Sequence, residues 1–491
     1  MSLPSIFRPA SLATGLFSFY SCTGGPVNND QVPSNPNIVI ILADDLGYGD
    51  ARCYNSESGI PTPNIDRIAQ NGIRLTDAYA HPWCVPSRYG LITGRHPLNS
   101  KLNWREQSLI EPGRLTIASL LGRNGYYTAM IGKWHLGFDS VNLEKVNPDE
   151  PMKGGPVDHG FDYFYGIHAS LDIPPYFYIE NDRAVVPPVN YINESRSPDA
   201  TRPTSGKFWR SGNIAPGFTH KEVDPAFAEK SVEFIRDYHQ NETGKPFFLY
   251  LSLTSPHTPW LPQSMFGGQS GAGSYGDFVM QVDNTVGRII DILEQTGYEN
   301  ETLLIFTSDN GPLWYIDDVN KFGHRSAGEL RGMKNDVWEG GHRIPFLAQW
   351  PGFIPENITR DDLFSLDDML ATFAGIIGDR LKESGDMNSF NQLPVLLNRQ
   401  LTEPVREKLL IYDHAIRYGD WKFIEGSGEG RVSKRWINDS SLIGIDTAGE
   451  LYNLAEDASE KNNLYFDEPE RVRLLKSELK EMKKQVTGCF P

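Results

Sequence analysis

The sequence predicts an α/β protein: a main, largely parallel sheet with helices on both faces, followed by a smaller α+β domain. Apolar runs rich in β-branched residues, such as 37–43 and 247–253, are typical of strands buried on both faces. Helical patterns alternate with these runs, and this alternation is typical of a parallel sheet. After about residue 400 it gives way to short strands and one amphipathic helix.

The elements of the main sheet follow in chain order. Strands are predicted at 37–43, 126–131, 247–253 and 303–307, and helices at 63–71, 115–123, 225–238 and 276–295. Gly72 is placed to cap the first helix. The stretch 139–225 is poor in regular pattern and rich in Pro, Gly, Asn and aromatic residues. We therefore predict a long insertion there, close to a functional site.

The smaller domain has strand candidates at 408–412, 415–418, 421–425 and 450–452, and a helix at 470–486. One stripe of that helix is apolar: Val472, Leu475, Leu479, Met482 and Val486. We divide the chain into an export segment (1–22), a polar linker (23–36), a main catalytic domain (37–400) and an α+β subdomain (401–491).

Composition limits the class of function. A hydrophobic content of 39% and a charged content of 22% describe an ordinary globular protein, and four cysteines are too few for a disulfide scaffold. The net charge of −17 argues against nucleic acid or an anionic membrane as a partner. Any anionic substrate would need a local concentration of cations in its pocket, because the field of the whole chain repels it.

The N-terminus predicts export. Arg8 precedes a short apolar run at 10–20 that is too short to span a bilayer, and Ser21-Cys22 resembles a loose bacterial lipobox. We interpret the segment as an export signal with lipidation at Cys22; the alternatives are a plain cleaved signal and a disordered tail. We expect a periplasmic or cell-surface lipoprotein of a Gram-negative bacterium.

Polar side chains stand at the ends of the predicted strands. They are Asp44, Asp45, Lys133, His135, His257, Asp309 and Asn310. Open α/β sheets place ligands beyond the carboxyl ends of their strands, so a parallel sheet would bring these side chains together. Three carboxylates and one amide oxygen suit Ca²⁺, or less well Mg²⁺, and no His/Cys cluster has zinc spacing.

The most informative motif is Cys84-Val85-Pro86-Ser87-Arg88, followed by Thr-Gly-Arg at 93–95. Taken alone, Cys84 is equally well interpreted as a buried structural thiol. If a helix begins here, Cys84 and Arg88 share a face. On an extended segment, Lys133 and His135 share a face as well.

This C-x-P-S-R motif, together with the two acidic pairs, resembles the type I sulfatases of the arylsulfatase kind, most closely over residues 35–350. The resemblance implies an alkaline-phosphatase-like fold: a large mixed sheet between helices, with a smaller C-terminal domain built on an antiparallel sheet. It implies that a formylglycine-generating enzyme oxidises Cys84 to formylglycine (3-oxoalanine), whose hydrate is the nucleophile. It also implies one metal ion, usually calcium, held by Asp44, Asp45, residue 84, Asp309 and Asn310.

The resemblance also implies roles for the remaining polar residues. Arg88 and Lys133 hold the hydrate, with Asp309 as the base, and Lys334 and His257 grip the sulfate. His257 acts as the acid for the leaving group, and His135 deprotonates the second hydroxyl. Ser170 stands where arylsulfatases have a substrate-contacting Ser. Trp209, Arg325 and Arg343 are candidates for a rim that binds sugar rings, sulfates or uronates.

By analogy, the expected substrate is a sulfated algal polysaccharide of the ulvan or carrageenan type, or its oligosaccharides; a glycosaminoglycan is the second choice. One alternative is a formylglycine-dependent phosphonate monoester or phosphodiester hydrolase, which a second metal site would favour. Another is a non-catalytic glycan-binding lipoprotein. Loss of Cys84, His257 or a metal-binding Asp would support it, and all are present.

Overall fold

The computed structural model describes residues 35–100, 103–105, 107–139, 143–197, 202, 205–241, 244–381, 388–430 and 448–487. Its strands are β1 (Asn37–Asp44), β2 (Ile73–Leu75), β3 (Ala78–Tyr79), β4 (Tyr127–Lys133), β5 (Tyr163–Ile167), β6 (Ile179–Glu180), β7 (Arg183–Ala184), β8 (Asn190–Ile192), β9 (Gly212–Ile214), β10 (Phe247–Pro256), β11 (Thr302–Ser308), β12 (Phe346–Gln349), β13 (Ile358–Arg360), β14 (Phe364–Ser365), β15 (Lys408–Ile411), β16 (Ala415–Tyr418), β17 (Trp421–Ile424) and β18 (Glu450–Asn453).

The helices of the described residues cover the main sheet and the C-terminal sheet. They are α1 (Pro63–Gln70), α2 (Cys84–Thr93), α3 (Ile117–Arg123), α4 (Val223–Gln240), α5 (Gly273–Thr296), α6 (Ile316–Phe322), α7 (Glu339–His342), α8 (Met369–Ile376), α9 (Leu393–Leu396) and α10 (Pro469–Thr487). α4 and α5 pack on each other and on β10, whereas α2 and α8 pack with α3, which contacts β4. None of these helices is long and apolar enough to cross a membrane.

The main sheet has the strand order β13-β2-β12-β11-β1-β10-β4-β5-β6-β7 in the described residues. Its centre is parallel: β1 pairs with both β10 and β11, β10 with β4, and β4 with β5. Antiparallel pairs, such as β11 with β12, flank this centre. The predicted large mixed sheet with flanking helices is therefore confirmed. All eight residues of β1 are buried, as its apolar composition predicts.

The C-terminal part is also confirmed as α+β. β15 to β18 form an antiparallel sheet in chain order. The predicted apolar stripe of α10, including Leu475 and Leu479, packs against one face, which carries Ile416 and Phe423. The other face packs against residues of the main domain such as Trp338. Both faces of this small sheet are thus covered.

Two local predictions are wrong. The stretch 139–225 contains five short strands, and β5 belongs to the main sheet; its five residues are too few to show a clear period. Helix α1 ends at Gln70 with Asn71 as its C-cap, and Gly72 does not have the left-handed φ of a capping glycine. A Cβ at Gly72 would lie 2.1 Å from the Ala348 carbonyl oxygen, so the close approach of β12 explains the glycine. Cys22 and Cys489 lie outside the described residues.

Candidate active site

Cys84 is the first residue of α2 and is buried at the carboxyl edge of the parallel strands. Lys334 Nζ lies 3.5 Å from Cys84 Sγ. Burial raises the pKa of the Cys84 thiol, and Asp44 and Asp309 raise it further against the opposing effect of Lys133 and Lys334. The unmodified side chain is therefore a neutral thiol rather than a thiolate nucleophile.

Arg88 lies one turn after Cys84 on the same helix and joins the ends of three strands. Its Nε and Nη2 donate to Asp309 Oδ2 at 3.1 and 2.7 Å. Its Nη1 donates to the Lys133 carbonyl at 3.3 Å and to the hydroxyl of Ser252. These bonds fix the position of the α2 N-terminus relative to β4, β10 and β11.

Asp44 and Asp45 end the first strand and each bind a lysine. Asp44 Oδ2 accepts a bond from Lys133, and Asp45 Oδ1 accepts one from Lys334 at 2.5 Å. Burial alone would raise the pKa of Asp44, but Lys133, His257 and Arg88 lower it overall. Asp45 has a left-handed backbone with φ of 67°, a conformation that costs energy for a non-glycine residue and clusters at functional sites.

Asp309 and Asn310 follow β11 and complete the acidic group. The backbone N–H of Asp45 donates to Asp309 Oδ1 at 3.1 Å, and Asn310 Nδ2 donates to Asp45 Oδ1 at 2.7 Å. Burial raises the pKa of the Asp309 carboxyl, and Asp44 adds to the effect. The four residues predicted at the ends of β1 and β11 therefore lie in contact.

The donor set fits a hard divalent cation. Asp44 Oδ1, Asp45 Oδ2 and Asn310 Oδ1 are buried oxygens without a hydrogen-bond partner in the part of the chain that is described. Single ligand atoms of Asp44, Asp45, Cys84 and His257 all lie within 4.8 Å of one another. Buried oxygens of this kind are rarely left unpaired, and carboxylate and amide oxygens are the ligands that Ca²⁺ and Mg²⁺ prefer.

The formal charges of this group cancel. The carboxylates are Asp44, Asp45 and Asp309, and the cations are Arg88, Lys133 and Lys334. A bound divalent cation would leave a local excess of two positive charges in a chain whose net charge is −17. Such a pocket attracts a small anion despite the acidic surface.

The two histidines have different environments. His257 Nδ1 lies 2.6 Å from the Thr258 carbonyl and therefore carries a proton, and Nε2 lies 3.8 Å from Asp45 Oδ2. His135 is buried, and its pKa lies well below the usual range because of burial and then Lys133. Its left-handed φ of 58° shows that the chain turns directly after β4, so the expectation of one extended face with Lys133 is wrong.

The predicted rim residues are dispersed. The buried Ser170 Oγ has no hydrogen-bond partner in the described structure, and Arg325 has a side chain that is 61% exposed. Trp209 stacks on His220 with centroids 4.7 Å apart. Arg343 is committed elsewhere: it pairs with Asp77 and Glu339 and donates to the Thr76 carbonyl.

Sequence reasoning missed three polar residues. Ser252 contacts Arg88, and its only signal in the sequence is that it is the one serine in the apolar run 247–253. Asp224 accepts bonds from the N–H and the hydroxyl of Thr254, both at 2.9 Å, just before the His257 loop. Asp172 pairs with Arg210, yet its Oδ1 has no hydrogen-bond partner in the described structure. Neither aspartate has a sequence signal of its own.

Comparisons with known proteins match most of the chain. The model of the family described as Sulfatase matches residues 36–378. An N-acetylgalactosamine-6-O-sulfatase of Bacteroides thetaiotaomicron is 33% identical over 93% of this chain and 94% of its own. Human arylsulfatase A is 32% identical over 87% of this chain and 83% of its own.

Solved structures give the same picture. A protein of glycosaminoglycan metabolism in Bacteroides thetaiotaomicron superposes with a TM-score of 0.79 and 31% identity over 92% of this chain and all of that one. A Pseudoalteromonas sulfatase superposes with a TM-score of 0.70 and 28% identity over 92% of this chain and 91% of that one.

Proposed function

We propose that this chain, which belongs to the sulfatase family and is a sulfuric ester hydrolase, removes sulfate from a sulfated carbohydrate. The observation that carries the proposal is the cluster around Cys84: Lys334 lies 3.5 Å from the thiol, Lys133 and Arg88 interact with it electrostatically, and three buried oxygens have no hydrogen-bond partner among the described residues. The similarity to an N-acetylgalactosamine-6-O-sulfatase over most of both chains favours a glycosaminoglycan sugar over the algal glycans.

We further propose that residue 84 acts as formylglycine and that Asp44, Asp45, Asp309 and Asn310 hold one Ca²⁺ beside it. When bound, the cation supplies Lewis-acid stabilisation of negative charge. The hydrated aldehyde supplies a nucleophile with a second hydroxyl group, which a serine lacks.

The protein's own side chains have separable tasks in this proposal. Lys334 lies between Asp45 and residue 84, where its ammonium group can pair with a sulfate oxygen. His257 holds a proton at Nδ1 through Thr258, so Nε2 is the atom that exchanges a proton with the leaving oxygen. Burial and Lys133 lower the pKa of His135, and its Nδ1 has no hydrogen-bond partner among the described residues, so this nitrogen is the one available to the second hydroxyl.

The first experiment measures free sulfate. The protein, co-expressed with a formylglycine-generating enzyme, is incubated with chondroitin 6-sulfate, heparan sulfate, ι-carrageenan, ulvan and their oligosaccharides. Cys84→Ala should remove turnover while leaving the thermal midpoint close to that of the parent protein, because among the described residues the thiol makes one long polar contact, with Lys334. Cys84→Ser should react at most once, since its sulfate ester has no second oxygen to expel sulfate.

Normal turnover by Cys84→Ala would overturn the proposal. The alternative of a phosphonate monoester or phosphodiester hydrolase is tested by phosphorus-containing esters in the same assay. Peptide mass spectrometry of the segment around residue 84 establishes whether formylglycine is present, so that silence on every glycan counts against the substrate class rather than against maturation.

Export is a further proposal, supported only by the N-terminal sequence. Arg8, the apolar run at 10–20 and Ser21-Cys22 have the order of a bacterial export signal. Lipidation at Cys22 is tested by radiolabelled palmitate incorporation, which a Cys22→Ala variant should lose.

A further inference from the structure

A cavity of about 290 Å³ lies beside the loop that carries Lys334. Pro312 and Met333 line it; the Pro312 carbonyl accepts the Lys334 N–H at 2.9 Å, and Met333 directly precedes Lys334. Ser326 also lines it and accepts a bond from the Gly49 N–H at 2.7 Å, in the loop that follows Asp44 and Asp45. The cavity therefore lies beside the cluster around Cys84, and Lys334 and Cys84 are not among its described lining residues. We call it the aromatic–arginine pocket.

The walls of the pocket combine flat rings with guanidinium groups. They include Trp314, Tyr315, Trp338, Arg202, Arg325 and Arg331. Asp336 is the one acidic residue among the described lining residues, and it already accepts the N–H groups of Met333 and Gly430 at 2.9 and 2.7 Å. Aromatic faces bind the apolar faces of sugar rings, and guanidinium groups bind sulfate or carboxylate with two parallel bonds.

The arginines differ in how firmly they are held. Arg331 lies 3.8 Å above the Trp338 ring and donates to the Tyr452 hydroxyl at 3.1 Å and to the Glu460 carbonyl at 3.0 Å. Two bonds leave part of its five-donor fork available. Among the described residues, Arg325 pairs with Glu329 at 4.0 Å; both side chains are mostly exposed, so that ion pair contributes little.

Size limits the occupant. A volume of 290 Å³ is at the lower end of the range of about 300–1,000 Å³ that is usual for small-molecule sites. One sugar residue fits this volume better than a longer chain. Arg202 is already paired with Asp317 at 2.8 Å, so Arg325 and Arg331 supply the positive charge that would attract an anion to this part of an acidic protein.

We propose that the aromatic–arginine pocket binds a second, anionic sugar residue of the same substrate chain, next to the residue that carries the scissile sulfate. The proposal rests on the proposed function and adds a substrate class to it: an oligosaccharide with a further sulfate or carboxylate on a neighbouring sugar. Arg331 provides a fixed contact for that group, and Arg325 is held weakly enough to close over it.

The test is a binding measurement in the Cys84→Ala background, where the ligand is not consumed. Isothermal titration compares a chondroitin 6-sulfate tetrasaccharide with N-acetylgalactosamine 6-sulfate. We expect the tetrasaccharide to bind about tenfold more tightly or better, equal to about 1.4 kcal/mol. This advantage should fall to less than about threefold in Ala327→Trp, which fills the pocket, and in Arg325→Ala, and Arg325→Lys should restore part of it.

Arg473→Ala is the matched control, because this arginine is 70% exposed on α10. Desulfated chondroitin and κ-carrageenan tetrasaccharides separate recognition of carboxylate from recognition of sulfate. Equal affinity of the parent protein for the tetrasaccharide and the monosaccharide, or an unchanged advantage in both Ala327→Trp and Arg325→Ala, would overturn the proposal. Thermal midpoints of all variants show whether they are folded.

The two proposals fail separately. Sulfate release by the matured wild-type protein tests the reaction, and the titrations do not depend on turnover. If the matured protein releases no sulfate, but the pocket variants lose the tighter binding of the tetrasaccharide, the pocket proposal stands and the proposed reaction is wrong. If the matured protein releases sulfate, but the pocket variants still bind the tetrasaccharide more tightly than the monosaccharide to the same extent, the proposed reaction stands and the pocket proposal is wrong.

Discussion

Two buried clusters of charged side chains in this protein contain acidic and basic residues in the same numbers. They differ in how completely their carboxylate oxygens are paired with donors of the protein. The site cluster consists of Asp44, Asp45, Asp309, Arg88, Lys133 and Lys334. The junction cluster, between the main sheet and the C-terminal sheet, consists of Asp77, Glu339, Glu460, Arg343, Arg417 and Lys422. Each has three acidic and three basic residues.

The carboxylates of the junction cluster are paired with side chains and backbone N–H groups of the protein itself. Lys422 Nζ lies 2.9 Å from Glu339 Oε1 and 2.8 Å from Glu460 Oε1, and the second contact is an ion pair without hydrogen-bond geometry. Glu339 also accepts the Tyr79 hydroxyl at 2.6 Å, and its own N–H donates to Glu460 at 2.6 Å. In the site cluster Asp44 Oδ1 and Asp45 Oδ2 have no such partner within the described residues, and neither has Oδ1 of the adjoining Asn310. The same formal charge is therefore arranged in two ways: the junction cluster joins the main sheet to the C-terminal sheet, and the site cluster leaves buried oxygens that could hold a cation.

The largest effect should come from removing one ligand of the site cluster. Asp45→Asn removes a negative charge beside Lys334, so we expect sulfate release to fall by at least about a thousandfold. Wild-type protein should gain stability from calcium, by about 2.7 kcal/mol at a hundredfold excess over the dissociation constant. The variant should lose most of that gain, which thermal melts with EDTA and with increasing calcium measure.

Asp361→Asn is the control for this comparison, because it removes the charge of an exposed aspartate. A wild-type midpoint that does not respond to calcium or magnesium would contradict the view that the three unpaired oxygens are metal ligands. A calcium response that persists unchanged in Asp45→Asn would assign the ion to a different place.

The residues of the site cluster are largely predictable from the sequence, and those of the junction cluster are not. Asp44, Asp45, Asp309 and Asn310 each follow a recognisable buried strand, and a general rule for parallel sheets brings such ends together. Asp77, Lys422 and Glu460 belong to no motif, and their contacts depend on how the C-terminal sheet docks. The sequence accordingly suggests Arg343 as a substrate-binding residue, because a guanidinium group suits a sulfate or carboxylate. Its actual partners, Asp77 and Glu339, cannot be recognised from the sequence.

A smaller but still large effect should follow from opening the junction cluster. Lys422→Met would leave Glu339 and Glu460 buried without their shared cation, so we expect a loss of about 3–5 kcal/mol in the free energy of unfolding. Chemical denaturation measures it. The double variant Lys422→Met/Glu460→Gln should recover part of the loss, since one buried charge is then absent. A loss of less than about 1 kcal/mol would show that water enters the cluster and replaces Lys422.

The smallest predicted effect depends on pH and concerns Glu460 alone. Burial raises the pKa of Glu460 from 4.5 to about 7; Lys422 opposes the rise and Glu339 supports it. Between these two values the unfolded chain has released the proton while the folded chain retains it. The contribution of Glu460 to stability therefore falls as the pH rises through this window, and it is constant above about 7.

Glu460→Gln keeps the shape of the protonated side chain and cannot titrate. Relative to this variant, the wild-type protein should lose about 1–3 kcal/mol of unfolding free energy between pH 4.5 and 7, measured by denaturant titrations at half-unit steps. Glu456→Gln, at an exposed position nearby, should run parallel to wild type throughout. If the pH curve of Glu460→Gln also runs parallel to that of the wild-type protein, Glu460 is ionised in the folded protein. Lys422 then compensates the charge of two carboxylates instead of one.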